Sequence, residues 1–125
     1  MSLRKKQSIF AINFAHLIIY AEKQGYEVTI GEVYRWSRVQ KFYIKIGVSW
    51  TLNSQHSKKL AGDLNLFKNG RYLSKSDEHR VLGKYWESLN IYNVWGGRFK
   101  DGNHYEMRHD KPRTMLRNFK YARPL

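Results

Sequence analysis

This sequence predicts an α+β fold in which a small antiparallel sheet packs against helices, and three observations lead there. Apolar residues recur at helical spacing over residues 7–24 and again over 77–89. The segment 61–67 alternates apolar and polar residues and runs into the turn signal Lys68-Asn69-Gly70. Helical and strand patterns do not alternate regularly, as a parallel α/β sheet would require. With 125 residues and no internal repeat, the chain reads as one domain over 1–125, of which 110–125 form a basic C-terminal tail.

The first helix, 7–24, carries Phe10, Phe14, Leu17, Ile18 and Ala21 on one stripe and ends at Gly25. Arg4, Lys5 and Lys6 before the apolar run 9–20 imitate a secretory leader. Asn13 and His16 interrupt that run and no small-x-small cleavage pattern follows, so we expect the mature protein to start at or near Met1. No stretch is long enough to span a bilayer. Segment 27–35, with Val28, Ile30, Val33 and Tyr34, reads as a strand or an irregular extended piece. Residues 36–55 hold aromatics and Gly47 without clean periodicity and read as a long ordered loop, which in a small domain is usually functional.

In 61–67, Leu64 and Leu66 point to one face, Asp63 and Asn65 to the other. Residues 71–73 would return as the second strand of a hairpin. Ser76 reads as the N-cap of a helix over 77–89, with Val81, Leu82, Tyr85, Trp86 and Leu89 buried. Gly96-Gly97 breaks the chain, and 104–107 is a short strand. The tail holds five Lys/Arg and one acid, with Pro112 and Pro124, and reads as a solvated extension.

Composition narrows the chemistry. A content of 42% hydrophobic and 15% aromatic residues excludes a disordered chain. The absence of cysteine excludes disulfides and thiolate metal sites, so any metal must be held by His and carboxylates. The net charge of +13 will seek polyanions: nucleic acid, anionic lipid, or the phosphate- and carboxylate-bearing bacterial wall. Charge alone does not choose among them.

Two segments carry candidate chemistry. Ser54-Gln55-His56-Ser57-Lys58-Lys59-Leu60-Ala61-Gly62-Asp63 places a His seven residues before an Asp; Asp101-Gly102-Asn103-His104-Tyr105-Glu106 adds a second His. Two His and one Asp make a three-donor zinc site with a fourth position left for water. A carboxylate near that water can take its proton and return it to a leaving amine, and Asp101 stands three residues before His104. By strand alternation, a cleft-facing His104 puts Tyr105 and Met107 in the core and Glu106 on the cleft side, where it can orient a ligand histidine.

The pattern Ser-x-His-x4-Ala-x-Asp followed by an acid-x-x-His resembles the zinc peptidases that include VanY- and VanX-type D-alanyl-D-alanine peptidases and phage L-alanyl-D-glutamate endopeptidases. Gly31-Glu32-Val33-Tyr34-Arg35 resembles the family's upstream arginine segment, and Asn53-Ser54-Gln55-His56 and Asp63-Leu64-Asn65-Leu66-Phe67 resemble its phage-type branch; the likeness spans residues 7–107. It implies a Hedgehog/DD-peptidase-like fold with the zinc site in a cleft on the sheet. It implies His56, Asp63 and His104 as zinc ligands, Asp101 as general base, Arg35 as the group that binds the substrate carbonyl, and Ser54 as a supporting hydroxyl. The family often has Gly where this chain has Lys59, so the turn between the first two ligands is expected to differ.

The implied function is hydrolysis of peptidoglycan stem peptides, as an L-alanyl-D-glutamate endopeptidase of the endolysin kind. The alternative within the class is a D-alanyl-D-alanine carboxypeptidase or dipeptidase; outside it stands a basic nucleic-acid-binding protein with aromatics among its cations. Expected partners are the stem peptide and the anionic wall, with no nucleic acid, and the expected state is a monomer. Synthesis in a bacterial cytoplasm and action at the wall are the expected localisation.

Each residue also has a plainer reading. His56 alone would be a surface or hydrogen-bonded histidine, Asp63 a turn or cap carboxylate, Asp101 the Asp-Gly of a turn, and Arg35 one cation among many. His109 rivals His104 as ligand. His16 and His79 fall in helical stretches. Trp86 belongs to a buried stripe, whereas Trp36 and Trp50 flank the long loop and are candidates to line a substrate.

Overall fold

The structure is a computed structural model, and the residues it describes are 1–47, 54–116 and 124–125. Helix α1 (Leu3–Lys23) starts four residues earlier than its apolar stripe suggests, because Ser2 caps it by accepting the Lys5 N–H at 3.2 Å. The early basic residues thereby join the fold. Lys6 is buried, with Nζ donating to the His109 carbonyl at 2.5 Å and lying 3.8 Å from the centre of the Tyr92 ring. Burial lowers its pKa, and the carbonyls of Arg108 and His109 supply the acceptors a buried ammonium needs.

Strands β1 (Glu27–Ile30), β2 (Ala61–Lys68), β4 (Asn93–Trp95) and β5 (His104–Met107) form an antiparallel sheet in the order β1-β2-β5-β4, and β3 (Arg71–Tyr72) pairs with the far end of β2. Asn69 and Gly70 both have positive φ, 52° and 76°, so the two-residue link from β2 to β3 has the left-handed backbone that matches the sheet's twist. Leu60, Leu64 and Leu66 join Tyr105 and Met107 in the core under α1 and α3 (Arg80–Leu89), where Phe10, Phe14, Leu17 and Ala21 meet Leu82 and Trp86. Burying each such side chain stabilises the fold by roughly 1.5–3 kcal/mol. Trp86 also donates its indole N–H to the Glu106 carbonyl at 2.9 Å. The opposite sheet face is left to Asp63 and its neighbours.

Five expectations are corrected. The expected loop over 36–55 contains a helix, α2 (Ser37–Lys45); residues 48–53, with Trp50 and Asn53, lie outside the described residues. Its apolar stripe, Val39, Phe42 and Ile46, is exposed, so the periodicity serves no core. Strand β4 was not foreseen, although Val94 and Trp95 are fully buried, because three residues give alternation no room to show. Ser76 does not cap a helix: its Oγ accepts the Gly102 N–H at 2.9 Å, and the chain runs through a 3-10 turn, Ser76–His79, before α3 begins. Val81, placed on the buried stripe, is 46% exposed, because the buried face of α3 is centred on Leu82, Gly83, Trp86 and Glu87, which turns Val81 away from the core. Finally, the tail's start is anchored rather than solvated. Arg113 donates to the Asn93 carbonyl at 2.5 Å and approaches Glu87, which itself holds Arg98 through two hydrogen bonds of 2.6 and 2.7 Å. Residues 117–123 of the tail lie outside the described residues.

Candidate metal centre

The site is assembled on three pieces of chain. Asp63 of β2 and His104 of β5 are cross-strand partners in the ladder. Ladder bonds flank them, Leu64 N–H to the Asn103 carbonyl and Met107 N–H to the Leu60 carbonyl. By alternation Asp63 and His104 form a non-hydrogen-bonded pair, the kind that brings side chains closest. The third piece is the 3-10 turn His56–Lys58, with His56 buried and its N–H donated to Ser54 Oγ at 3.2 Å. That turn closes through Lys59, whose φ of 58° is left-handed, a conformation glycine adopts at less cost.

An extended segment, residues 31–35, locks the pieces together. Gly31 N–H donates to the Asp63 carbonyl and Asp63 N–H to the Glu32 carbonyl, both at 2.8 Å; Arg35 N–H donates to the His56 carbonyl at 3.2 Å. A side chain at Gly31 would press on Asp63, with its Cβ 3.1 Å from the Asp63 Cβ. The His56 ring Nδ1 lies 3.3 Å from the Val33 carbonyl, which accepts its proton and so leaves Nε2 as the donor atom toward the site.

Three donor atoms converge. His56 Nε2 lies 3.0 Å from His104 Nδ1 and 3.3 Å from Asp63 Oδ1, and His104 Nδ1 lies 3.2 Å from the same oxygen. Tetrahedral donors around a zinc ion bound at about 2.0–2.1 Å stand about 3.3–3.4 Å apart. The triangle formed by the chain is one face of such a tetrahedron, with the fourth corner left open, so the residues fit the metal. Among the described residues this is the one His/carboxylate cluster close enough to share an ion, and His109 is not in it.

Around the triangle, Glu106 Oε1 accepts from His104 Nε2 at 2.7 Å and is held on its other side by Arg108 at 3.1 Å. This fixes the ring so that Nδ1 faces Asp63 and His56. Burial alone would raise the Asp63 pKa, but hydrogen bonds from His104 and His56 override it and hold the carboxyl at about 2. Burial alone would lower the His104 pKa; hydrogen bonds to Asp63 and Glu106 instead raise it to about 10. Glu106 is lowered against its own burial by His104 and Arg108. Asp101 Oδ2 lies 4.0 Å from His104 Nδ1 on a half-exposed side chain, and burial, with the charges of Asp63 and Glu106, pushes its pKa up. A carboxylate so placed is a better proton acceptor than a free one.

Of the seven residues singled out in the sequence, His56, Asp63 and His104 form the cluster, Glu106 and Asp101 lie against His104, Ser54 accepts the His56 N–H, and Arg35 meets His56 through its backbone N–H. Arg35 differs from its expected surroundings, being paired with Glu32 at 2.5 Å while its guanidinium lies over the Tyr43 ring at 4.8 Å. Tyr43 donates to the other Glu32 oxygen at 3.2 Å. Glu32 and the Val33 carbonyl were missed as supports of the site; the charge pattern Glu32-x-x-Arg35 was the available signal for the first, and a backbone carbonyl leaves none. Trp36 is 53% exposed, Trp86 is core, and His79 is buried with Nδ1 2.8 Å from the Tyr105 hydroxyl.

Residues 47–107 match the peptidase family described as D-alanyl-D-alanine carboxypeptidase. No curated protein matches the chain. Among solved structures, the L-Ala D-Glu endopeptidase ChiX of Serratia marcescens is similar, with a TM-score of 0.61 at 23% identity over 74% of this chain and 75% of that one. That similarity shows the fold. The family match covers the stretch holding His56, Asp63, Asp101 and His104.

Proposed function

We propose that this peptidase is a zinc-dependent hydrolase of peptidoglycan stem peptides, cutting between L-Ala and D-Glu in the manner of a phage-type endolysin. One observation carries the reading: three donors spaced as a tetrahedral face, with a raised-pKa carboxylate beside them. The fold shared with an L-Ala D-Glu endopeptidase supports the choice of bond.

His56 Nε2, Asp63 Oδ1 and His104 Nδ1 would hold the zinc. When bound, zinc supplies a Lewis acid that lowers the pKa of water towards about 7 and polarises a carbonyl. Asp101 takes the proton of the attacking water and returns it to the leaving nitrogen. Arg35, set by Glu32 and Tyr43, binds the substrate carbonyl as charge grows on its oxygen. Ser54 fixes the turn that carries His56 by accepting its backbone N–H, and Glu106 keeps the His104 imidazole oriented. The charge of +13 draws the enzyme to an anionic wall. No helix among the described residues is long and apolar enough to cross a membrane. Synthesis in a bacterial cytoplasm, monomeric state and delivery to the wall complete the reading.

The family description favours a second cut, D-alanyl-D-alanine carboxypeptidase action, at the same site. Digesting purified peptidoglycan with the zinc-loaded protein and weighing the fragments decides. New N-terminal D-Glu is expected; release of free D-Ala would replace the endopeptidase reading with the carboxypeptidase one, and an undigested wall would end both.

A further inference from the structure

Asp101 also lines a pocket of about 210 Å³, bounded by Lys75, Ser76 and His79 from one stretch of chain and by Lys100, Asp101 and Asn103 from another. The walls are pinned to each other. Gly102 donates its N–H to Ser76 Oγ at 2.9 Å, and its carbonyl accepts the Trp95 indole N–H at 2.7 Å. A Cβ on Gly102 would collide with the Ser76 backbone, so the two loops touch as closely as chains can.

The pocket's charge is unbalanced. The acids nearest Lys75 are already engaged, Asp77 with Arg80 at 2.6 Å, and Glu78 with Arg71 at 3.0 Å and the Lys75 N–H at 3.1 Å. Among the described residues neither the Lys75 nor the Lys100 ammonium has an ion-pair partner within 4 Å. His79 is committed to Tyr105, and burial lowers its pKa, so it adds no charge at neutral pH. Two lysines therefore line a pocket whose one lining carboxylate is Asp101. The Ser76 hydroxyl accepts from Gly102 and still has its own proton to give.

The position of Asp101 says which part of a substrate belongs there. A base that returns its proton to the leaving nitrogen must lie beside the leaving residue, within hydrogen-bond reach. Resting on the peptidase reading, we propose that this pocket is the leaving-residue subsite, in which Lys75 and Lys100 bind that residue's free carboxylate with the Ser76 hydroxyl. Either cut considered above releases a residue bearing such a group: the α-carboxylate of a γ-linked D-Glu, or the terminal carboxylate of D-Ala. Specificity for D-Glu or D-Ala then lies in the rest of the pocket, while the anion requirement is common to both.

The test pairs a binding measurement with a kinetic one on the zinc-loaded full chain. The binding probes are the dipeptide γ-D-glutamyl-L-lysine and its α-carboxamide, titrated by NMR. The carboxylate form is expected to bind at least tenfold tighter than the amide and to shift the Gly102 and Asn103 amides. In the double variant Lys75→Met, Lys100→Met, which alters exposed side chains, the two forms are expected to bind equally. Full discrimination in the variant, or none in the wild type, overturns the proposal. The kinetic arm compares stem peptides carrying the same carboxylate or amide. A tenfold preference in kcat/KM that vanishes in the variant supports the subsite, and a preference that persists overturns it. A wild type that discriminates the dipeptides but cleaves neither peptide would refute the hydrolase reading while leaving the anion pocket standing.

Discussion

Asp63 and His104 face each other across the β2–β5 ladder with Oδ1 and Nδ1 3.2 Å apart, so that a carboxylate held at about 2 meets an imidazole held at about 10. The register of two strands fixes both the distance and the charge of the site. The consequences are measurable.

Zinc must displace the His104 proton from Nδ1, because a nitrogen cannot carry both. Apparent zinc affinity is therefore expected to rise about tenfold per pH unit between about pH 7 and 9, with a proton released on binding. Calorimetric titration in buffers of different ionisation enthalpy counts that proton. In chelator the sign reverses. The folded pKa of His104 lies above its unfolded value near 6.5, so its contribution to stability is full below about pH 6.5 and is lost as pH rises through about 10. An affinity flat with pH would show that no proton has to leave.

Glu106→Gln keeps the shape but weakens the acceptor that holds His104 Nε2. Zinc affinity is expected to fall about 10–100-fold, with the fold retained. Competition with a chromogenic chelator reads the change. Equal affinity would mean that the ring is oriented by packing alone.

Asp101→Asn removes the proposed base and leaves the triangle of His56, Asp63 and His104 intact. The expected result is a fall in kcat of about 10²–10⁴-fold with full zinc content. Wall-lysis rate and metal analysis on the same preparation give both numbers. Full activity there would strip Asp101 of its role.

Lys59→Gly relieves a left-handed backbone at the turn behind His56. We expect a gain of up to about 1 kcal/mol in unfolding free energy and unchanged zinc uptake, since left-handed backbone costs a non-glycine residue about 1–2 kcal/mol and the added freedom of the unfolded chain offsets part of it. Urea unfolding measures it. Destabilisation would show that the Lys59 contact with the Tyr34 ring, 5.2 Å away, matters more than the strain.

His79 is a separate pH sensor of the fold. Its folded pKa is pushed below 6.5 by burial, so its contribution to stability is full above about pH 6.5 and is lost as pH falls through the folded value. The urea midpoint in chelator is expected to drop between pH 7 and 5, and less in His79→Gln. His104 does not obscure this, because its own contribution is constant below about 6.5.

The three residues of the cluster could be named from the chain itself: without cysteine any donor had to be a His or a carboxylate, the resemblance to the zinc peptidases singled out His56, Asp63 and His104, and the alternation of Leu64 and Leu66 against Asp63 gave the carboxylate its face. The turn at Asn69-Gly70 and the stripe of α1 were equally local, because dihedral preference and residue period act over a few neighbours.

What lies outside that range was settled by tertiary structure. Whether β2 pairs β5 at Asp63↔His104 or one residue off is a property of the whole sheet, and a one-residue slip would have turned His104 to the core. Which imidazole nitrogen faces the site depends on the Val33 carbonyl, 23 residues from His56, and on the Glu106 carboxylate, two residues beyond His104 on the same face of its strand. Arg35 could be named but not its pairing with Glu32 and Tyr43, and α2 hid because its apolar residues Val39 and Phe42 are exposed. Local chemistry offered the side chains; long-range hydrogen bonding and packing chose which of their atoms meet and at what distances.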